Sequence, residues 1–169
     1  MQKLWAPWRN KYITKVLKNQ HKGCVFCRMA KAKGDAKNHV FLRGDAAYAV
    51  LNIYPYSNGH CMIVPNRHVN DLVKMTKEEL ANMMELLVKT QTLLRKKLSP
   101  QGFNVGINLE RIAGAGIPGH IHMHIVPRWS GDHNFMPVIA GTRVISQSLD
   151  AMYQTLTNEK PQGHRRARK

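Results

Sequence analysis

Apolar residues recur along this chain in two rhythms, and each predicts a different kind of element. From 76 to 100 the rhythm is helical: Leu80, Met83, Met84, Leu87, Leu94 and Leu98 recur at steps of three, four or their sum, a stripe expected to face a core. Thr76 followed three residues on by Glu79 is a capping box, in which each side chain bonds the other residue's backbone N–H. Ser99-Pro100 closes the helix, because proline cannot continue it. Elsewhere the apolar runs are short and extended. Val40-Phe41-Leu42 and Ala46 to Ile53 predict a hairpin hinged at Arg43-Gly44-Asp45. Pro55-Tyr56-Ser57-Asn58-Gly59 is a turn, and His60-Cys61-Met62-Ile63-Val64 is the next strand, stopped by Pro65. Phe103 to Asn108 is another strand. A small-residue loop, Ala113 to Gly119, then leads into His120-Ile121-His122-Met123-His124-Ile125-Val126, which alternates in the strand period. Strands gathered round one long helix predict an α+β domain with an antiparallel sheet. Residues 1–23 read as an irregular arm anchored by Trp5, Trp8 and Tyr12, and 24–157 as the folded domain, irregular after Pro127. Residues 158–169 read as a flexible basic tail.

Charge changes the picture only at the two ends. The chain carries 26 Lys and Arg against 10 Asp and Glu, a formal net charge of +16. Residues 1–34 hold nine basic side chains and no acid, and 160–169 add Lys160, Arg165, Arg166, Arg168 and Lys169, so the stretch between holds 12 basic and 10 acidic groups. The middle is therefore nearly neutral. The ends can make weak contact with a polyanion such as nucleic acid, or stay solvated; the absence of aromatic residues in the tail favours solvation. At 43% hydrophobic over 169 residues, the chain can bury a core, which excludes a fibrous or wholly disordered protein. No apolar run approaches the roughly 20 residues of a membrane span. The start, Met1 to Arg9, lacks a secretory apolar stretch. The expected location is the cytoplasm.

Three cysteines cannot complete a disulfide framework. Cys24 and Cys27 form a C-x-x-C pair, which in a reducing compartment reads as two metal ligands, a redox dithiol, or simply an empty reduced pair. No βαβ pattern surrounds it, which disfavours the redox reading. Cys61, on a strand beside Met62 and Ile63, reads as a small core residue. The alternation from 120 to 126 puts His120, His122 and His124 on one strand face, roughly 6–7 Å apart, and Ile121, Met123 and Ile125 on the face that packs on the helix. Three adjacent imidazoles suit either a metal site or nucleophilic attack at phosphorus. Histidines merely exposed to solvent would not explain the glycine-rich lead-in, whose bare N–H groups can approach a phosphate closely.

The run His120-Ile121-His122-Met123-His124-Ile125-Val126 resembles the H-φ-H-φ-H-φ-φ signature of the histidine triad (HIT) proteins, where φ is apolar. Leu51 to Pro55, Gly59-His60 and Pro65-Asn66-Arg67-His68 resemble that family's nucleoside-binding strand pair, and the likeness covers about 24–139. Leu4-Trp5-Ala6-Pro7-Trp8-Arg9, the Ala-Gly loop, and Pro127 to Pro137 are similar to the diadenosine tetraphosphate phosphorylase-type branch. The resemblance implies a HIT-like antiparallel sheet packed on one long helix, and a homodimer formed through the helix and an edge strand. It implies an enzyme that cleaves dinucleoside polyphosphates through a nucleotidyl-histidine intermediate.

Carried over by position, His122 is the nucleophile and His124 faces the phosphate. Asn52 and Ile53 fall in the nucleoside-binding segment, with Asn52 meeting the ribose hydroxyls. Asn108 and the backbone of Ala115 and Gly116 surround the phosphates. Arg128 is a candidate phosphate contact, and Trp129 either closes over the nucleotide or covers the sheet edge. In zinc-bearing members the metal ligands correspond here to Cys24, Cys27, His68 and His120, which implies a structural Zn2+. His60 reads as a buttress under the site. One departure matters: related hydrolases carry Gln or Ser just before the triad, where this chain has Gly116-Ile117-Pro118-Gly119. A backbone-lined loop suits an anionic acceptor and favours phosphorolysis, with hydrolysis of a dinucleotide or a nucleoside phosphoramidate as the rival. A non-catalytic nucleotide or nucleic-acid binder is the alternative from another class.

Overall fold

Five strands pair into one antiparallel sheet in the order β1-β2-β3-β5-β4. They are β1 (Val40–Arg43), β2 (Ala47–Leu51), β3 (Cys61–Pro65), β4 (Gly102–Ile107) and β5 (Met123–Arg128). Helices α1 (Val25–Lys31) and α2 (Asp35–Asn38) precede the sheet, α3 (Lys77–Leu98) lies between β3 and β4, and α4 (Leu149–Thr157) follows β5. This computed structural model describes residues 23–132 and 145–158. The arm with Trp5, Trp8 and Tyr12, and the basic tail from 159 onward, lie outside the described residues.

The long helix follows its sequence signals. Thr76 Oγ1 accepts from the Glu79 N–H at 3.2 Å while the Thr76 N–H donates to Glu79 Oε2 at 2.9 Å, closing the capping box. Its buried stripe is Met83, Leu86, Leu87, Thr90 and Leu94. The face is thus rotated from the expected one: Met84 points outward at 50% exposure, and the buried Thr90 continues the stripe where an apolar residue would have marked it. α3 and α4 pack on one sheet face, with Met83, Leu86, Leu94, Met152 and Leu156 against Ala49, Leu51, Ile63, Ile121 and Ile125. Each large side chain buried there contributes about 1.5–3 kcal/mol. Cys61 lies fully buried in this core, and burial pushes its thiol well above its ordinary range.

The other sheet face is covered as well. Phe26 of α1 packs with Val40, Tyr48, Val50, Met62 and Val64. All five residues of β2 and all five of β3 are buried, as expected of strands covered on both faces. Two strand residues bolt α1 down. The Tyr48 hydroxyl donates to the Phe26 carbonyl at 2.9 Å. The Arg43 guanidinium donates to the carbonyls of Met29, Ala30 and Ala32 and pairs with Asp35, a cation at the negative end of the helix.

Beyond shifts of one or two residues at strand ends, the structure departs from the sequence expectation as follows. β5 begins at Met123 and not at His120, and it runs through Pro127 to Arg128. The stretch after Pro127 is not irregular throughout, since Ser148 caps α4 by accepting from the Ala151 N–H at 3.2 Å. The C-x-x-C pair starts a helix. Among the described residues, no helix is long and apolar enough to cross a membrane.

Candidate active site

The histidine row sits where the approach to β5 meets α1. Ahead of the strand, the Ile121 N–H donates to the Val69 carbonyl at 2.7 Å, and the His120 N–H to the Ile117 carbonyl at 3.3 Å. Those bonds hold residues 120–122 in line with the strand without ladder pairing. His122 Nδ1 lies 3.0 Å from the His120 carbonyl. A carbonyl only accepts, so Nδ1 carries the proton and the Nε2 lone pair is left available. His122 is buried, 5% exposed, and burial lowers its pKa, so the ring is neutral at pH 7. Its ring stands 5.1 Å from that of His124, at 73°.

His124 is set by His60, which does more than buttress the site from below. The Tyr56 N–H donates to His60 Nδ1 at 3.0 Å, so the His60 proton resides on Nε2. That Nε2 lies 2.9 Å from His124 Nδ1, which must accept, leaving the His124 proton on Nε2. A backbone amide thereby fixes the tautomer of a triad histidine through one intervening ring. Tyr56 packs over both rings, at 4.6 Å from His60 and 5.9 Å from His124. His124 is held neutral, its pKa depressed to about 4 by burial and then by the neighbouring His122. No local pattern marks His60 for this part; the signal is the β3–β5 pairing, which sets Met62 opposite His124 and Cys61 opposite Ile125. Gly59 lets the chain enter β3: its φ is +72°, and a Cβ there would lie 2.6 Å from Leu98 Cδ1.

Cys24, Cys27, His68 and His120 form a second cluster, with one ligand atom from each lying within 4.8 Å of all the others. Cys24 Sγ to His120 Nδ1 is 3.3 Å, Cys27 Sγ to His68 Nδ1 is 3.3 Å, and Cys27 Sγ to His120 Nδ1 is 3.6 Å. A tetrahedral zinc with Zn–S about 2.3 Å and Zn–N about 2.0 Å has ligand–ligand edges of about 3.3–3.8 Å, so these spacings fit. The tautomer fits too: His120 Nε2 faces the Pro65 carbonyl at 2.9 Å and carries the proton, which turns a lone pair on Nδ1 toward the sulfurs. Burial lowers the His120 pKa, favouring the neutral ligand form. The Cys27 thiol is pushed up, first by burial and then by Cys24, so a cation is what would let both sulfurs ionise together.

The other sequence candidates lie around these two clusters. Asn52 follows β2; its amide nitrogen is 3.4 Å from both His60 ring nitrogens, and its Oδ1 accepts from the Tyr54 N–H. Ile53 is 52% exposed beside it. Asn108 follows the end of β4, whose Gly106 pairs with His124. In the loop the Ala115 N–H donates to the Glu110 carbonyl at 3.1 Å, so of the two backbone donors named there Ala115 is engaged within the loop itself. Arg128 is held by Asp132 at 2.6 and 3.0 Å and by Asn104 at 2.7 Å. The Trp129 N–H bonds Asp132, and its side chain is half-buried.

An antiparallel sheet that presents three in-line histidines beside a Cys/His cluster defines a histidine triad fold. Residues 33–131 match the HIT domain, and the chain belongs to that family. A Mycobacterium tuberculosis protein named AP-4-A phosphorylase is 38% identical over 165 residues, 94% of this chain and 84% of that protein. A Schizosaccharomyces pombe protein named bis(5'-nucleosyl)-tetraphosphatase (asymmetrical) is 34% identical over 95 residues, 56% of this chain and 52% of that one. Among solved structures, a Zn-bound histidine triad family protein from Mycobacterium smegmatis superposes with a TM-score of 0.65 at 27% identity, covering 80% of this chain and 91% of that one.

Proposed function

We propose that this chain is a nucleotidyl-transferring enzyme that cleaves dinucleoside polyphosphates, diadenosine tetraphosphate foremost, with orthophosphate as acceptor. The observation that carries the reading is the tautomer of His122: with Nδ1 bonded to the His120 carbonyl, the Nε2 lone pair is the reactive one and needs no base to expose it. Nε2 attacks the α-phosphorus, the bond to the bridging oxygen breaks, and a nucleoside triphosphate leaves. His124, with its proton on Nε2, meets the charge growing on the phosphoryl oxygens. Orthophosphate then attacks the nucleotidyl-His122, the P–N bond breaks, and a nucleoside diphosphate is released. Asn52 is assigned to the ribose, Asn108 and the Gly116 end of the Ala115–Gly116 loop to the phosphates, and Arg128 and Trp129 to the far end of the site. The likeness to a protein named AP-4-A phosphorylase over most of the chain supports this choice of reaction.

Cys24, Cys27, His68 and His120 are assigned to a structural zinc, which when bound supplies a cross-link between α1 and the approach to β5. The protein is assigned to the cytoplasm and to a homodimer formed by α3 and the β4 edge, where Met84, Val88 and Val105 are 50%, 58% and 47% exposed. The test of the reaction is turnover of diadenosine tetraphosphate with and without orthophosphate. Phosphorolysis requires phosphate and yields ADP with ATP. Undiminished turnover without phosphate would assign hydrolysis instead, the activity in the name of the fission-yeast relative.

A further inference from the structure

Phe26 stands between Cys24 and Cys27 and is 2% exposed. Its ring meets two histidines at once: His120 nearly edge-on at 5.4 Å and 73°, and His122 at 5.2 Å and 49°. His122 therefore touches two rings, Phe26 and His124, while its Nδ1 is tied to the His120 carbonyl. The Cβ tether and one hydrogen bond hold two points of an imidazole but not its plane, because coupled turns about χ1 and χ2 can tilt the ring while the N–H···O contact bends. A flat, buried neighbour in contact removes that freedom.

Phe26 is itself fixed from several directions. The Tyr48 hydroxyl donates to its carbonyl at 2.9 Å, and Tyr48 is fully buried. Arg43 grips the carbonyls of Met29, Ala30 and Ala32 at the far end of the same helix. At 2% exposure the Phe26 ring offers a substrate little surface, while two of the ring contacts it makes are to His120 and His122. We infer that Phe26 is a positioning residue: it holds the plane of the His122 ring so that Nε2 faces the scissile phosphorus. The inference rests on the reading of His122 as nucleophile. It makes α1 a reference surface for the reaction as well as the carrier of two cysteines.

The test uses the full chain with Phe26→Leu, which keeps apolar bulk but removes the flat ring, and Tyr48→Phe, which keeps both rings and releases the Phe26 carbonyl. A misplacement of about 1 Å in a nucleophile can cost roughly a hundredfold. Phe26→Leu is therefore expected to lower kcat about 10- to 100-fold and Tyr48→Phe about 3- to 10-fold, each with KM within about threefold. Metal content per chain should stay at the wild-type value. Nitrogen-15 NMR of the His122 ring should lose its single sharp Nδ1–H signature in Phe26→Leu, a readout independent of turnover. A folded Phe26→Leu protein with wild-type kcat and an unchanged His122 signature overturns the inference. So does a raised KM at unchanged kcat, which would make Phe26 a substrate contact. If Phe26→Leu does not fold, Tyr48→Phe decides by the same criteria. Loss of the nucleophile reading looks different: His122→Ala would then retain turnover, whatever the Phe26 variants do.

Discussion

Replacing His60 by Phe tests the tautomer relay with little change of volume. In the wild type the Tyr56 N–H to His60 Nδ1 bond, 3.0 Å, and the His60 Nε2 to His124 Nδ1 bond, 2.9 Å, together keep the His124 proton on Nε2. Phenylalanine offers neither donor nor acceptor, so the part-buried His124 Nδ1 is left without its partner. Such a loss costs about 1–3 kcal/mol. At about 1.4 kcal/mol per tenfold, that corresponds to roughly a 5- to 150-fold loss of the productive state. The loss should appear in kcat, because the charge that His124 meets builds only on the way to the transition state, and KM should stay within about threefold. Steady-state kinetics with diadenosine tetraphosphate measure both, and nitrogen-15 NMR reads the His124 tautomer directly. A His60→Phe enzyme with kcat within twofold of wild type would refute the relay.

Three further outcomes follow from the same geometry. Cys24→Ser with Cys27→Ser should abolish binding of about one zinc per chain and lower the unfolding temperature, because metal-binding free energy is folding free energy; elemental analysis of chelator-free wild type finding no zinc would reject the site. Gly59→Ala should cost about 1–3 kcal/mol, from its φ of +72° and the 2.6 Å approach to Leu98, while Gly102→Ala, with nothing within 4 Å, should change denaturant stability by under about 0.5 kcal/mol; equal effects would reject the steric argument. Arg67 pulls the Glu79 carboxyl from its ordinary 4.5 down to about 2, so the pair's stabilisation is present above pH 4.5 and lost as pH falls toward 2; the stability gap between wild type and Glu79→Gln should close across that window, and a gap that stays constant contradicts it.

The parts of this fold that the sequence announces are those whose signals are local. Thr76 and Glu79 are three residues apart and cap α3 as expected. His122 and His124 lie on a continuous line of backbone, so their shared face is legible even though β5 starts only at Met123. The missed parts depend on distant partners. α1 is seven residues long, too short to be stable alone, and it is held by Arg43 and Tyr48 from strands 11 to 22 residues away. The three- and four-residue rhythm admits Met84 to the stripe, but the buried side of α3 is decided by the sheet it meets and includes the polar Thr90. His60 reads from sequence only as a support under the site, because its bond to His124 spans 64 residues of sequence.

The central claim is that His122 Nε2 is the atom that takes the nucleotide. The direct measurement is mass spectrometry of enzyme quenched during turnover of diadenosine tetraphosphate, followed by mapping of the modified peptide. The account predicts a nucleotidyl adduct on His122, absent from His122→Ala, which should lose essentially all turnover while binding nucleotide within about tenfold of wild type. An adduct on another residue, or substantial turnover by His122→Ala, would contradict it.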